Sequence, residues 1–372
     1  MKKHYFLGLA GGYSKARVAR HVFAFGRRKD CDSLVEYLGK KYEGGAILYK
    51  NGRSALAAVL EAYFEPGDAV IVNGFTCYAV YEAIKCARLK PIWADIDEKS
   101  LNFTSGSIEK AIARSSGGGI KGIIVQNSLG NPVDMIGVER LAKQHGLKII
   151  EDLAHSVGVR YADGREAGTV GAGAAFSFGK DKSVDTVSGG AAVFRDPCNK
   201  VKQAPSKSPK PSDHMRARFY PLFGAICRGL TRVHLGGVLM RALVKIRWVE
   251  RSADNRLDLT RRISKFEAKL ALEQFRKMKK NGEPVLRSHY LVRKRKDVLA
   301  ELRANGYYFD GLWYERPVSP ERYYRKVHFP EKDCPVAVRV AEAIVNLPNY
   351  YSARELAGAK KIINEELEGR DE

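Results

Sequence analysis

Acidic residues are scarce: 42 Asp and Glu face 64 Lys and Arg among 372 residues, a formal charge of +22. So basic a chain is expected to meet anions, whether phosphate, an anionic membrane surface or nucleic acid. Nucleic acid is the least expected, because no helix-turn-helix, zinc finger or RNA-binding signature is present. Cysteine is also sparse, with six residues at 31, 77, 86, 198, 227 and 334. They form no CxxC pair and no Cys/His cluster, which excludes a zinc framework and fits a reducing cytosol. No uncharged apolar run approaches the ~20 residues that span a bilayer. The stretch Met1 to Gly8 has bases but too short an apolar run for a signal peptide, so no export is expected. No internal repeat is present.

What the chain does have is 45% hydrophobic residues, enough over this length for a large core and two domains. Apolar runs at Ala69 to Val72, Pro91 to Ala94, Gly122 to Val125, Lys148 to Ile150 and Ala174 to Phe178 read as strands. They alternate with helical patterns at 53–64, 78–87, 106–113 and 136–145. That alternation predicts an α/β fold with a mostly parallel sheet and helices on both faces. From about residue 259 the pattern turns helical and then mixed, as in a smaller α+β C-terminal domain. The expected division is therefore 1–258 and 259–372, with Gln203 to Asp213, rich in Pro, Ser and Lys, read as a mobile loop.

The chemistry is concentrated in a short span. Glu151-Asp152-Leu153-Ala154-His155 follows one predicted strand, and Phe176-Ser177-Phe178-Gly179-Lys180-Asp181-Lys182 ends another, with Gly189-Gly190 leading back into the sheet. Pyridoxal phosphate needs a carboxylate against its ring nitrogen to keep that nitrogen protonated. Asp152, just past a buried strand, faces the ligand crevice of an α/β sheet. It also needs an amine to bond its aldehyde, and a lysine desolvated beside a cationic ring gives up its proton readily. That residue is read as Lys182, with Lys180 as a decoy two positions away. A lone lysine in a lysine-rich chain is ordinarily a surface residue; the apolar strand before it and the Gly-Gly return after it mark this one out. His155 is placed to touch the ring or its phenolic oxygen, the alternative being a satisfied core histidine. At the other end, Gly52, Arg53 and Ser54 precede the first turns of a helix, whose free N–H groups and positive dipole end form a ready anion site.

These blocks resemble the DegT/DnrJ/EryC1/StrS family of pyridoxal-phosphate sugar aminotransferases, which carry EDxAH or EDxAQ, then FSFxxxK, then GG. Asn51-Gly52-Arg53-Ser54-Ala55-Leu56 resembles its SGTAAL, Pro66 to Val72 its PGDEVIV, and Pro91 to Asp97 its PVFVDID. Gly130 to Met135, Phe266 to Gln274 and Asn346-Leu347-Pro348 resemble its GxPxDM, its QAAIGLxQL helix and its SLP. The blocks run in family order from about residue 45 to about residue 365, and that collinearity is more specific than any single motif.

The resemblance implies a fold-type I transferase with a seven-stranded, mostly parallel sheet. It implies pyridoxal 5'-phosphate as cofactor, a homodimer, and transfer of an amino group from glutamate to a nucleotide-linked keto sugar for surface glycan biosynthesis. It also implies that Ser177 adds a hydroxyl to the phosphate, that Asn127 stands where members often carry His near the ring oxygen, and that Cys77 replaces the aromatic ring that usually stacks on the cofactor, with Tyr78 or Phe75 as substitutes. Arg53 stands where Thr or Ser is usual, and Thr260 where the family has an asparagine that reaches the partner subunit. A related dehydratase is the runner-up, but such members carry His in place of the lysine. A non-catalytic regulatory or binding protein on the same scaffold is the third reading.

The basic excess is local. Residues 200–300 hold 26 Lys and Arg against 8 Asp and Glu, which covers most of the +22. Within an insertion at about 203–255, Phe219 to Val249 alternates apolar stretches with single bases. Arg228 and Arg232 are predicted on one helical face and Arg241 and Lys245 on another, with Gly236-Gly237 between. Such short basic amphipathic helices suit an anionic membrane surface. The enzyme is therefore expected in the cytoplasm, with peripheral contact at the inner membrane face; the alternative is packing against a sister subunit.

Overall fold

The structure is a computed structural model that describes residues 5–7, 12–115, 119–195, 204–233, 235–249, 256–278, 286–309 and 312–368. Its main sheet is built from β2 (Gly45–Tyr49), β3 (Ala69–Asn73), β5 (Lys90–Ala94), β6 (Ile120–Gln126), β7 (Lys148–Asp152), β8 (Gly173–Ser177) and β9 (Gly190–Phe194). The order is β2-β9-β8-β7-β6-β3-β5. Strands β8, β7, β6, β3 and β5 pair in parallel, while β9 runs antiparallel to both β8 and β2. Two two-residue strands, β1 (Tyr5–Phe6) and β4 (Thr76–Cys77), pair outside it with β11 (Tyr307–Tyr308) and β12 (Val318–Ser319). A further pair, β10 (Arg287–Leu291) and β13 (Ile344–Pro348), is antiparallel.

The period of two along each strand divides the core in half. Val70, Val72, Ile124, Ile150, Ala175 and Ala192 face one apolar cluster with α3 (Gly52–Tyr63) and α4 (Tyr78–Cys86). Their neighbours Ile71, Ile123, Val125, Ile149, Ala174 and Val193 face another with α2 (Arg28–Lys41), α5 (Ser105–Arg114), α6 (Met135–His145) and α9 (Lys265–Lys277). The predicted sandwich is thus present, and the predicted helices lie within a residue or two of those observed.

Two features differ from the expectation. Strand β2 was not foreseen. The segment read as a loop up to Asp213 already turns helical at Pro211, where α7 (Pro211–Leu230) begins with proline in its first turn, a position that needs no N–H. Gly236-Gly237, placed by the sequence between the two basic pairs, opens α8 (Gly236–Lys245). Gln203, Arg251 to Asn255 and the side chain of Arg232 lie outside the described residues, as do Met1 to His4, Gly8 and Cys198.

A third cluster gathers Leu7, Val292, Val298, Leu302, Val345, Leu347 and Ile363 around β10 and β13. A fourth joins α1 (Lys15–Phe23), α7, α8 and α9 through Tyr13, Ala217, Tyr220, Leu243, Phe266 and Leu270.

Candidate active site

The parallel strands end at one crevice, where an open α/β sheet presents its ligand site. Gln126, Asp152 and Ser177 are the last residues of β6, β7 and β8. Side-chain alternation sorts the Glu-Asp pair of the β7 motif. Asp152 lines the cavity. Glu151, fully buried, points away and accepts hydrogen bonds from the backbone N–H groups of Gly168 (2.7 Å), Val170 (2.8 Å) and Gly171 (2.7 Å), from Tyr161 Oη (2.8 Å) and from Arg195 (3.2 Å). Glu151 therefore organises the loop before β8.

Asp152 has one partner on each oxygen, with Ala154 N–H donating to Oδ1 (3.1 Å) and Gln126 Nε2 to Oδ2 (3.0 Å). Burial raises its pKa, while the Ala154 N–H, the Lys182 charge and Gln126 pull it back. A positive ring nitrogen placed against it would act in the same direction as Lys182.

Lys182 lies in the same cavity, half-buried, its ammonium 4.8 Å from the centre of the Trp313 ring. Burial lowers its pKa, against the raising influence of Cys77, Asp152 and Asp181, so the amine is poised to lose its proton. Lys180 also lines the cavity but sits over the Tyr220 ring at 4.1 Å. Asp185 fixes the loop that carries both lysines. Its carboxylate accepts from Tyr13 Oη (2.8 Å to each oxygen), Asp181 N–H (2.8 Å) and Val187 N–H (2.8 Å), and pairs with Arg17 at 3.3 Å. Asp181 and Val187 both hold left-handed backbone, at φ 58° and 74°.

At the helix end, Asn51 caps α3, its Oδ1 accepting from Ser54 N–H (2.9 Å) and Ser54 Oγ (2.7 Å). Ser54 is fully buried, does not line the cavity and receives Asp258 N–H at 3.0 Å, so its hydroxyl is engaged in the fold. Gly52 packs so tightly on Ser177 that a Cβ there would lie 2.5 Å from Ser177 Cβ and 2.8 Å from its Oγ. Glycine is required for this approach, which puts the free N–H groups of α3 beside a hydroxyl. Arg53, its guanidinium ion-paired with Glu82, completes this end of the cavity.

The remaining walls come from distant segments. His155 lines the cavity, stacks on Trp313 (5.2 Å between centroids, 27°) and meets Tyr314 edge-on. Leu129 N–H donates to its Nδ1 (3.2 Å), and burial first, then Lys182 and Arg287, hold its pKa well below the ordinary value. The imidazole is thus neutral, with its other nitrogen carrying the proton.

Cys77 is at the cavity; Phe75 is instead fully buried against Tyr314 (4.7 Å), and Tyr78 is stacked on Tyr323 (4.5 Å), neither lining it. Asn127 lines it too, with Oδ1 taking Val133 N–H (2.9 Å) and Nδ2 reaching Tyr161 Oη (3.4 Å). Thr260 bonds Asp258 and lies elsewhere.

Sequence reasoning missed Gln126, Tyr314 and the insertion residues Asp213, Arg216, Tyr220 and Trp248, all of which line the cavity. Asn51 could have been found as a preferred helix cap. The insertion residues carry no motif.

A buried carboxylate and a desolvated amine at one cavity, with a glycine-hydroxyl helix end beside them, fit the ring nitrogen, aldehyde and phosphate of pyridoxal phosphate. They define a pyridoxal-phosphate enzyme of fold type I. The model of the DegT/DnrJ/EryC1/StrS aminotransferase family matches residues 31–365, and the chain belongs to that family of pyridoxal-phosphate-dependent sugar aminotransferases. It is 26% identical over 317 residues to a pleiotropic regulatory protein of Geobacillus stearothermophilus, covering 82% of this chain and 80% of that one. It is 35% identical over 144 residues to a UDP-N-acetyl-3-dehydro-alpha-D-glucosamine 3-aminotransferase of Acidithiobacillus ferrooxidans, a match covering 38% of each. In fold it is similar to a DegT DnrJ EryC1 StrS aminotransferase from Brucella abortus, with TM-score 0.64 and 20% identity over 94% of this chain and 93% of that one.

Proposed function

We propose that this chain moves an amino group from glutamate to a keto sugar carried on a nucleoside diphosphate. It works as a cytoplasmic homodimer whose segment 219–249 touches the inner membrane face. The observation that carries the reading is one cavity holding the Lys182 amine and the Asp152 carboxylate. Support for the substrate class comes from the 3-aminotransferase relative, whose name specifies a UDP-linked dehydro sugar. When bound, pyridoxal phosphate supplies an electron-withdrawing ring that lets an amino group leave one carbon and join another.

The chain's own groups do the rest. Asp152 would hold the ring nitrogen and favour its charged form. Lys182 would be the amine that holds the cofactor's aldehyde and could carry a proton to or from the substrate carbon. Gly52, Arg53 and Ser177 take the phosphate, with Ser54 holding the helix end that presents it. His155 would flank the ring, with Cys77 and Asn127 lining the sides of the cavity. In this reading residues 1–258 form the cofactor domain and 259–372 the smaller one. Lys182 also favours transamination over the dehydratase reading, in which His replaces the lysine.

The test is the visible spectrum of the purified protein with and without glutamate. The wild type shows a yellow band that disappears on adding glutamate. Lys182→Ala loses both the response and turnover, whereas Lys180→Ala retains them. A Lys182→Ala protein that still transaminates overturns the assignment.

A further inference from the structure

Two stretches of this chain are free of acidic residues and lie together in the fold. Residues 14–29 carry six Lys and Arg and no Asp or Glu, and residues 214–249 carry seven and again none. The first holds α1; the second holds α8 and α7 from His214 onward, Asp213 in the first turn of α7 lining the cavity instead, and α7 packs on both of the other helices. The apolar side chains here are distributed as no self-sufficient surface requires. Helix α8 buries Leu243 inward, yet Val238 on it and the residues that flank it, Leu235 and Ile246, are 52%, 55% and 62% exposed. The exposed bases Arg241 and Lys245 lie on the same face as Val238. At the end of α1, Phe23 and Phe25 are 82% and 71% exposed. An open apolar groove between α1 and α7, lined by Val18, Val22, Phe23, Leu222 and Ala225, has Lys15 and Arg228 among its walls.

An outward apolar stripe on a helix already buried on its other side marks a docking surface. We propose that its occupant is an anionic lipid bilayer, with α8 lying in the interface plane and the phenylalanines after α1 entering beside it. This rests on the membrane-face location proposed above and supplies the surface that makes the contact. Charge decides between occupants. A second copy meeting this face isologously would set the exposed bases Arg241, Lys245 and Arg247 of one copy against those of the other. A nucleic acid would pair with the bases but leave Val238, Ile246 and the phenylalanines in water. An anionic bilayer satisfies both, taking the apolar side chains below the headgroups and the bases among them. Among the described residues no helix is long and apolar enough to cross a membrane, so the contact is peripheral.

The test is flotation of the full-length protein with phosphatidylcholine vesicles, with and without phosphatidylglycerol. Parallel measurements are turnover of a soluble nucleotide sugar and mass by light scattering. The wild type floats with the anionic vesicles only, and less at high salt. Each base near an anionic surface contributes roughly fivefold, so Arg241→Ala/Lys245→Ala/Arg247→Ala lowers partitioning about a hundredfold. Phe23→Ser/Phe25→Ser and Val238→Ser/Ile246→Ser lose flotation as well, with turnover and mass unchanged because these side chains are exposed. Lys182→Ala floats like the wild type, which separates failure of the surface from failure of the catalytic reading. The proposal is overturned if the wild type does not float, or if the serine variants float equally. It is also overturned if those variants change the oligomer instead, or if the bases bind nucleic acid while anionic vesicles are ignored.

Discussion

Asp185 is the residue whose loss should reveal how the loop that carries Lys182 is held. Its buried carboxylate accepts from the N–H groups of Asp181 and Val187, on either side of Lys182, and from Tyr13 Oη. Both backbone donors belong to residues in left-handed conformation, costly for a β-branched valine, and such strain of about 1–3 kcal/mol per residue persists only where the surroundings enforce it. In Asp185→Asn the side chain keeps its shape but loses one acceptor, so whichever way the amide is turned, one backbone N–H faces an NH2 group. A buried donor left unpaired costs about 1–3 kcal/mol, and weakening a charge-assisted bond adds to it. The expected loss is roughly 3 kcal/mol of stability, measured by urea unfolding. Cofactor affinity should fall about 10- to 100-fold as the Lys182 loop relaxes, measured by titrating the visible band. Tyr13→Phe leaves the carboxylate and both backbone donors paired and should cost only about 1 kcal/mol. An Asp185→Asn protein within about 0.5 kcal/mol of wild type, with unchanged cofactor binding, would refute the clamp.

Gly52→Ala forces a methyl group to within 2.5 Å of Ser177 Cβ, so the helix end must move. Overpacking of this kind costs about 1–3 kcal/mol, read as a roughly 5- to 150-fold weaker affinity for pyridoxal phosphate in equilibrium dialysis, with the fold retained by circular dichroism. Asp181 is pushed up to about 6 by burial first, against the lowering influence of Arg287, from an ordinary value of 3.8. Between those values the folded protein keeps a proton that the unfolded chain has released. Stability contributed by this group therefore falls as pH rises from about 4 to about 6, by roughly 1–3 kcal/mol, and is level above. Urea midpoints across that range should show the decline in the wild type and a shallower one in Asp181→Asn.

The division between what the residues disclose and what they conceal follows the range of the forces involved. Buried parallel strands are near-continuous apolar runs, so β3, β5, β6, β7 and β8 were legible. β2 is an edge strand, Gly45–Tyr49, with only its last two residues buried, and a five-residue half-exposed run gives little period to read. That Asp152 and Lys182 meet at one cavity was legible because their positions follow from strand ends and motif spacing. Ser54 shows the limit of that logic. Its place at a helix start suits a phosphate, but Asp258, some two hundred residues on, donates to its hydroxyl, and no local pattern records a partner so distant.

The same limit hid Tyr314 and Trp313, which come from an irregular segment, and the cavity-lining residues of α7. That last omission matters most for function. The insertion read only as a basic surface also places Asp213, Arg216 and Tyr220 in the cavity wall. Helix α7 thus faces the cavity with one side and packs on α1 and α8 with others. Whatever occupies the outer surface of α1 and α8 therefore bears on a helix that lines the cavity, because close-packed helices do not shift independently. The physical link between the two surfaces is Tyr220, whose ring lies under Lys180 in the cavity and against Tyr13, the donor to Asp185.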